Sequence, residues 1–232
     1  MPTETSLKDW TGAKAPDHRT LEGRFVRLEP LSVKQHGDQL WQEFTGPGSD
    51  PTTFDSTFAG PFEQRADFDV FLSKAAHDSH LYAVIDLVSG KAQGIIGFVE
   101  INLAHGTIEI AYVYFGVSMR RSSKSTEAVF LLIQEAFALG NRRVVWSCNN
   151  DNDRSKWAAL RFGFTLEAVF RQQYVVKGKN RNNAWFSMLD REWPVLQKAF
   201  VQWLSPVNFD SSGQQIQLLK TLQVECNKNI GK

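Results

Sequence analysis

Hydroxyl and cationic side chains are concentrated between residues 116 and 128, in the stretch GVSMRRSSKSTEA. The stretch follows an apolar, strand-like segment and opens a segment with helical periodicity. The free N–H groups of a first helical turn and the helix dipole favour an anion at such a junction. Hydroxyl and cationic groups add donors that suit phosphate oxygens. The side chains concerned are Arg120, Arg121, Ser122, Ser123, Lys124, Ser125 and Thr126. The pattern predicts a diphosphate site; the alternative is that Ser123 only caps a core helix and the cations face solvent.

Hydrophobic periodicity predicts the elements on either side of this stretch. Residues 107–115 read as a strand. Apolar residues at the i, i+3, i+4 and i+7 spacing predict a helix that ends at Gly140, a residue suited to the left-handed C′ position. A short strand over 142–148 and a short helix over 154–162 follow after a polar turn. The predicted diphosphate site is therefore a strand–loop–helix junction.

The other predicted elements complete a mixed sheet. A strand over 21–29 precedes two helices, and short strands separated by turn residues then indicate an antiparallel meander. A long hairpin closing at residues 177–180 precedes a last helix. The remaining ranges are 32–44, 62–76, 81–88, 94–103, 164–176, 182–189 and 190–204. This order predicts an α/β fold with helices on both faces of a mixed sheet. We expect one domain over 21–205, a polar arm over 1–20 and a polar tail over 206–232 that includes a short helix at 216–222.

Composition argues against several classes of protein. The 26 basic and 25 acidic residues of the 232-residue chain include no basic block, which argues against a nucleic-acid partner. No apolar run approaches the ~20 residues of a membrane span, and no signal segment is recognised. Cys148 and Cys226 suit neither a disulfide framework nor a zinc site. We therefore expect reduced thiols, no metal and a cytoplasmic monomer or homodimer.

The loop resembles motif A of the GNAT acetyltransferases, which reads Arg/Gln-x-x-Gly-x-Gly/Ala. Arg120, Ser123 and Ser125 occupy this spacing. The tripeptide Thr126–Ala128 follows, as in the RimJ/RimL-like branch of the family, the ribosomal-protein-alanine acetyltransferase type. Both family glycines are serine here, and a serine in the left-handed region costs ~1 kcal/mol. We therefore expect either strain at these two serines or phosphates that bind slightly displaced.

Flanking segments extend the resemblance over residues 23–193. The sequence IEIAY at 108–112 is similar to the Glu-Ile-Gly-Tyr strand of the branch. The sequence NDRS at 152–155, followed by Gly-Phe at 163–164, is similar to its Asn-x-x-Ser…Gly-Phe signature. The resemblance implies the GNAT-type acyl-CoA N-acyltransferase fold, a mostly antiparallel sheet whose central strands splay apart. It also implies an acetyl-CoA-dependent N-acetyltransferase acting on a primary amine, either a protein N-terminus or a small molecule.

In this family the pantetheine of CoA lies between the splayed strands. The resemblance therefore places Phe115, Val117 and Met119 along that gap, opposite residues 144–148. Asn152 would bond a pantetheine amide or support the neighbouring loop; alternatively, it is only a turn or cap residue. The sequence does not identify the acceptor amine. A second interpretation is a catalytically degenerate acyl-CoA-binding or scaffold protein of the same fold.

Direct attack of a neutral amine on a thioester requires alignment, a base and an oxyanion donor. Glu109 is the first candidate base because it lies on the strand beside the cleft, and Glu100 on the preceding strand is the second. A backbone N–H near Val117 would stabilise the oxyanion. By resemblance, Ser155 would protonate the leaving thiolate. The alternatives are that these glutamates form a solvent face and that Ser155 is an ordinary helix residue.

Overall fold

Eight strands form one sheet within residues 6–228, the part of the chain that the computed structural model describes. The strands are β1 (Leu21–Glu22), β2 (Val26–Pro30), β3 (His80–Asp86), β4 (Ala92–Asn102), β5 (Thr107–Phe115), β6 (Arg143–Asn149), β7 (Thr165–Val176) and β8 (Lys179–Leu189). Their spatial order is β1-β2-β3-β4-β5-β6-β8-β7. Every neighbouring pair is antiparallel except β5 with β6. These two are parallel because a helical crossover connects them.

Helices cover both faces of the sheet, as the sequence predicted. They are α1 (Val33–Thr45), α2 (Arg65–Asp78), α3 (Ser123–Ala138), α4 (Asp153–Phe162), α5 (Trp193–Trp203) and α6 (Leu219–Lys228). One apolar core joins the sheet to α3, α4, α5 and α6 and includes Ile110, Val129 and Phe200. A second core joins β3 and β4 to α1 and α2 and includes Leu40 and Phe68. The mixed α/β fold is confirmed.

The two parallel strands pair over only part of their length. Their register runs from Thr107 opposite Arg143 to Ile110 opposite Trp146 and then stops. The register between β4 and β5 shifts at this level, and Tyr112 has a φ of 54°. Such an irregularity bends a strand. β5 therefore leaves β6 beyond Ile110, and a gap opens between the ends of the two strands.

Two local departures from the predicted elements have physical causes. The predicted strand over 21–29 is divided into β1 and β2, because the Glu127 carboxylate takes the N–H groups of Arg24, Phe25 and Val26 at 2.6–2.9 Å. The β7–β8 hairpin closes over only two residues, Lys177 and Gly178, with φ values of 51° and 72°. Two left-handed residues make the kind of turn that matches strand twist.

Both ends of the described chain pack against the body. In the predicted arm, the Trp10 indole donates to Ala104 O at 2.8 Å and Arg19 pairs with the buried Glu135 at 2.6 Å. In the predicted polar tail, α6 begins three residues later than the expected helix and continues to Lys228. It buries Leu219, Leu222, Gln223 and Cys226. The expectations for residues 1–5 and 229–232 lie outside the described residues.

Candidate functional site

The gap between β5 and β6 leaves two strand edges without each other as partners. On β5 the edge runs over residues 111–115, and on β6 it runs over 147–149. Phe115 is half-buried, Val117 is 48% exposed and Met119 is fully buried. Unpaired backbone donors and acceptors along such an edge can pair with the amides of an extended ligand. This geometry suits the pantetheine chain that the resemblance predicts there.

The first turn of α3 lies just past the β5 end of the gap. Ser122 is its N-cap residue in extended conformation, but its side chain makes no capping bond and donates to Met119 O instead. The Ser125 and Thr126 hydroxyls donate to Ser122 O at 3.1 and 3.3 Å. The side chain of the cap residue therefore leaves the first-turn N–H groups available to an anion.

The backbone strain expected at Ser123 and Ser125 lies elsewhere. The helix begins at Ser123, and neither serine has a positive φ. Arg121, two residues earlier, adopts the left-handed conformation with a φ of 55°. Because both serines follow the cap residue, they take the ordinary right-handed helical conformation and require no glycine.

The predicted phosphate ligands differ in their partners. Arg120 donates from Nε to Phe115 O at 3.0 Å and from Nη2 to Thr53 Oγ1 at 2.9 Å, while its Nη1 pairs with Asp50. The same Asp50 oxygen pairs with Arg154 at 3.1 Å. Hydrogen bonds from Thr52, and then from the two arginines, hold the pKa of Asp50 far below its usual value.

Lys124 is also neutralised, because its Nζ lies 3.1 Å from the buried Asp86 carboxylate. Arg121 is exposed and forms no ion pair within residues 6–228. Thr126 is buried, and its hydroxyl accepts from Arg161 at 3.0 Å. The predicted cluster therefore has one cation, Arg121, that remains free to meet a phosphate without breaking a contact.

Glu109 lies at the last paired levels before the gap, opposite Val145. Its side chain is 92% buried, since only 8% is exposed, and its carboxylate accepts from Ser147 Oγ at 2.6 Å. Burial raises its pKa, the Ser147 hydrogen bond opposes this shift, and the nearby Glu100 charge adds to it. Glu100 itself is exposed and adopts a φ of 46°. Between the two candidate bases, only Glu109 has the buried setting that raises a carboxyl pKa toward neutrality.

A polar chain continues from Glu109 across three strands. Ser147 Oγ accepts from Asn183 Nδ2 at 3.3 Å, and Asn183 Oδ1 accepts from Arg181 Nε at 2.9 Å. Asn183 and Arg181 are 2% and 6% exposed. From the sequence, the basic hairpin turn 177–181 is interpreted as solvated, with contact to a substrate or to the CoA 3′-phosphate as the alternative, while Ser147 and Asn183 are not candidates. Ser147 is a polar residue beside the apolar residues of β6, which is a signal in the sequence, whereas Asn183 and Arg181 lie in the polar first half of β8 and give no such signal.

Ser155 lies on the opposite face of β6 from this chain. Asn152 caps α4 by accepting from Ser155 N at 3.1 Å, which is the cap role that the sequence left open. Ser155 Oγ accepts from Trp146 Nε1 at 3.0 Å, so its own proton is available to another acceptor. Trp146 and Ser147 alternate along β6 and therefore point to opposite faces. Glu109 and Ser155 thus approach the gap from its two sides.

A cavity of about 430 Å³ lies at the Arg181 end of this polar chain. It is bounded by the segment 46–61, called the roof segment below, and by the ends of β6, β7 and β8. The lining residues are Asp55, Ser56, Thr57, Pro61, Asn149, Asp151, Val176, Lys177, Lys179, Asn180 and Arg181. Lys177 Nζ ties the roof segment to the hairpin through Phe54 O at 2.8 Å and Ala59 O at 2.9 Å. The hairpin turn is thus part of a cavity wall rather than only a solvated loop.

Two other properties bear on the range of chemistry. Within residues 6–228, no group of three or more His, Cys, Asp or Glu side chains is arranged to hold a metal ion. In the same part of the chain, every helix is too short or too polar to cross a membrane.

Comparisons with known proteins identify the family and the fold. Residues 28–165 match the family model of the acetyltransferase (GNAT) domain. A crystal structure of a GCN5-related N-acetyltransferase from Brucella melitensis has a TM-score of 0.91 and 44% identity, covering 94% of this chain and 100% of that one. A GNAT-family protein from Chromobacterium violaceum, described as a probable acetyltransferase, has a TM-score of 0.76 and 41% identity, covering 84% and 98%.

A more distant structure shares the fold. It is the microcin C7 self-immunity acetyltransferase MccE in complex with acetyl-CoA and AMP, with a TM-score of 0.61 and 22% identity over 72% of this chain and 93% of that one. Among curated proteins, none matches this sequence.

Proposed function

Because the chain belongs to the GNAT acetyltransferase family, we propose that it is an acetyl-CoA-dependent N-acetyltransferase acting on a primary amine within a ternary complex. The observation that carries the proposal is the gap between β5 and β6, with the buried Glu109 on one side and Ser155 on the other. Acetyl-CoA is the donor substrate. Its extended pantetheine suits the free strand edges, and its diphosphate suits the uncapped first turn of α3.

In the proposed reaction, one residue on each side of the gap transfers one proton. The amine nitrogen attacks the thioester carbonyl carbon, a C–N bond forms, and the C–S bond breaks to release the thiolate. Glu109 accepts the amine proton, either directly or through the Ser147 hydroxyl, which donates a hydrogen bond to its carboxylate. Ser155 donates to the departing sulfur, since its oxygen already accepts from Trp146. Alignment of the two reactants supplies much of the acceleration.

Several finer properties belong to the same proposal. The RimJ/RimL-like branch is supported by the motif spacing around Arg120 and Ser155. A protein N-terminus and a small amine are both acceptors of the right chemistry. The two thiols, Cys148 and Cys226, are buried and unpaired, which suits a reducing cytoplasmic location.

The test measures donor binding and turnover separately. Calorimetry with acetyl-CoA checks the gap as a donor site, and a thiol-release assay over an amine panel checks transfer. Glu109→Gln is expected to lower kcat by ~10²–10⁴-fold, since that is the usual contribution of a general base. Acetyl-CoA affinity should stay the same in this variant. Glu22→Gln, at an exposed position on β1, is the matched control.

The decrease of the turnover rate at acidic pH provides an independent test of Glu109 as the base. Turnover should rise with pH through an apparent pKa above the ordinary glutamate value of 4.5, because burial raises the pKa of Glu109. Glu100→Gln should cost less than Glu109→Gln. A larger loss in Glu100→Gln would move the base to that residue, and full activity in Glu109→Gln would contradict the proposed proton path.

One observation favours a second candidate, a degenerate acyl-CoA-binding or scaffold protein. Arg120 and Lys124 already have carboxylate partners in Asp50 and Asp86, which reduces the charge offered to a diphosphate. Binding of acetyl-CoA without thiol release over the whole amine panel would favour an acyl-CoA-binding role. Absence of binding would favour a scaffold.

A further inference from the structure

Arg181 is the one lysine or arginine among residues 6–228 whose whole residue is buried, with 6% exposed. The three groups that contact its guanidinium are all uncharged. Nε donates to Asn183 Oδ1 at 2.9 Å, Nη1 donates to Ser56 O at 3.2 Å, and Cζ lies 4.2 Å from the Phe58 ring centroid. Within that part of the chain no carboxylate lies within 4.0 Å of its nitrogens. A buried guanidinium without a counter-ion is costly, and the cost falls when an anion binds.

Three other cations among residues 6–228 are in the opposite state. Arg120, Lys124 and Arg143 are all less buried than Arg181, yet they pair with Asp50, Asp86 and Glu167 respectively. Burial also lowers the pKa of Arg181, with no neighbouring carboxylate to oppose the shift. Neutral oxygens and an aromatic face compensate a cation only in part. Among residues 6–228, Arg161 also forms no ion pair, and burial lowers its pKa too, but it is only partly buried. Arg181 differs from Arg161 in that the whole residue is buried and lines a cavity.

The charge of Arg181 lines the cavity described above and is linked to the candidate base. Three hydrogen bonds connect Arg181 to Glu109, through Asn183 and Ser147. The cavity also includes Lys177 and Lys179 against Asp55 and Asp151, so its lining carries one more positive than negative group. Glu109 does not line the cavity itself but lies at the other end of the hydrogen-bonded chain that begins at the cavity wall with Arg181. An acceptor that extends from the cavity toward the gap would therefore have its amine toward Glu109 and its other end near Arg181.

From this arrangement we propose that the acceptor amine carries an anionic group, a carboxylate or a phosphate, that pairs with Arg181. The inference rests on the proposed acetyl transfer and adds the class of acceptor. The side-chain amide of Asn183 and the hydroxyl of Ser147, joined by three hydrogen bonds, lie between the Arg181 guanidinium and the Glu109 carboxylate. The anion is therefore several bonds away from the reacting nitrogen, as in an ω-amino acid, an acidic peptide or an amino-alkyl phosphate.

Matched acceptors that differ only in charge test this proposal. In thiol-release assays, 6-aminohexanoate is compared with 6-aminohexanamide, and O-phosphoethanolamine with ethanolamine. We expect at least about 30-fold higher kcat/KM for the anionic member of one pair, because loss of one partner of a buried charge pair typically has an effect of this size. The pair that shows the preference distinguishes a carboxylate from a phosphate. Equal kcat/KM values within both pairs would overturn the proposal.

Variants separate the charge of Arg181 from its structural contacts. Arg181→Gln should bring the anionic-to-neutral ratio close to one and leave the KM for acetyl-CoA unchanged, whereas Arg181→Lys should keep a preference. Phe58→Leu is the matched control, since it removes the ring over the guanidinium but no charge. It should keep the ratio even if both rates fall. A change in the acetyl-CoA KM of Arg181→Gln without a change in the ratio would assign Arg181 to the donor instead.

A binding measurement keeps this inference separate from the proposed function. If no amine supports thiol release, the proposed transfer fails, but the anion site can still be examined with the corresponding product analogues. Calorimetry should show tighter binding of 6-acetamidohexanoate or N-acetyl-O-phosphoethanolamine than of 6-acetamidohexanamide or N-acetylethanolamine. The advantage should disappear in Arg181→Gln. Equal affinities in wild type would overturn the anion site independently of catalysis.

Discussion

Two arginines border the candidate site in opposite electrostatic states. Arg120 belongs to the cationic loop before α3 and is neutralised by Asp50 of the roof segment. Arg181 belongs to the β7–β8 hairpin and is buried among neutral partners. The loop rich in positive charge is therefore the side where protein carboxylates compete with an anion. The hairpin, whose turn is also basic because it contains Lys177, Lys179 and Arg181, is the side where a charge remains available.

The difference shows that the position of a cation in the sequence does not determine whether it is available to bind an anion. Asp50 and Asp86 are 70 and 38 residues before the cations that they pair with, Arg120 and Lys124. Conversely, no carboxylate of residues 6–228 lies within 4.0 Å of the Arg181 nitrogens, which contact Asn183 and the backbone of the roof segment instead. Availability of charge is a property of the three-dimensional neighbourhood.

The most direct way to break this contrast is to free Arg120 and Arg154 together. Asp50→Asn removes the carboxylate that both guanidinium groups share. We expect acetyl-CoA affinity to rise about fivefold to tenfold, because charge-assisted contacts to phosphate become available at ~1 kcal/mol or more. Calorimetry with acetyl-CoA and with CoA measures the change.

The control for this prediction is Asp67→Asn, which removes the same charge at an exposed carboxylate on α2 that forms no ion pair within residues 6–228. It should leave the affinity within twofold of wild type. Weaker binding in Asp50→Asn than in wild type would mean that the pair serves to build the site rather than to compete with the ligand.

A smaller effect separates Arg121 from Lys124 within one loop. Arg121→Gln should weaken acetyl-CoA binding about threefold, since an exposed cation near a phosphate contributes under ~1 kcal/mol at ordinary salt. Lys124→Gln should instead mainly lower the free energy of unfolding, because it leaves the buried Asp86 without its cation. Calorimetry and thermal denaturation of both variants give the comparison. Equal losses of affinity would contradict the view that Lys124 is already neutralised.

The smallest expected effect is on the thermal stability of the Glu109→Gln variant. The pKa of Glu109 is raised in the folded state, so the ionised carboxyl disfavours folding at neutral pH. This penalty disappears as the pH falls below the ordinary value of 4.5. Glu109→Gln should therefore melt at a higher temperature than wild type at pH 7, and the advantage should shrink as the solution is acidified. A pH-independent difference would point to packing rather than charge.

Much of the fold could be predicted from the sequence because its signals are local. Apolar residues recur at helical spacing over residues 123–138, which form α3. The turn residues between 86 and 107 separate three antiparallel strands as expected. The divided first strand could not be predicted, because its cause is the Glu127 carboxylate about 100 residues away. The packing of α6 against the body was not predicted from the sequence. Its apolar residues Leu219 and Leu222 recur at helical spacing, but the polar residues around them make the segment look like a polar tail.

The candidate site was predictable only in outline. Strand, loop and helix order drew attention to the first turn of α3. The gap and Ser155 are implied by the family resemblance, and Glu109 is selected because its strand lies beside that gap. Ser147 and Asn183 join the site only because β6 and β8 become neighbours and bring their hydroxyl and amide within hydrogen-bonding distance. Their partners lie on different strands, and no spacing along the chain specifies that pairing.

The sequence by itself determined the periodic elements, the α/β class and the loop that opens α3, because backbone preference and apolar spacing act over a few residues. Only the tertiary structure decided which charges remain free and which carboxyl has a raised pKa. Desolvation and ion pairing depend on atoms that meet across strands and loops. For this reason the chain's cationic loop is partly neutralised by Asp50, while the less conspicuous Arg181 retains an uncompensated charge.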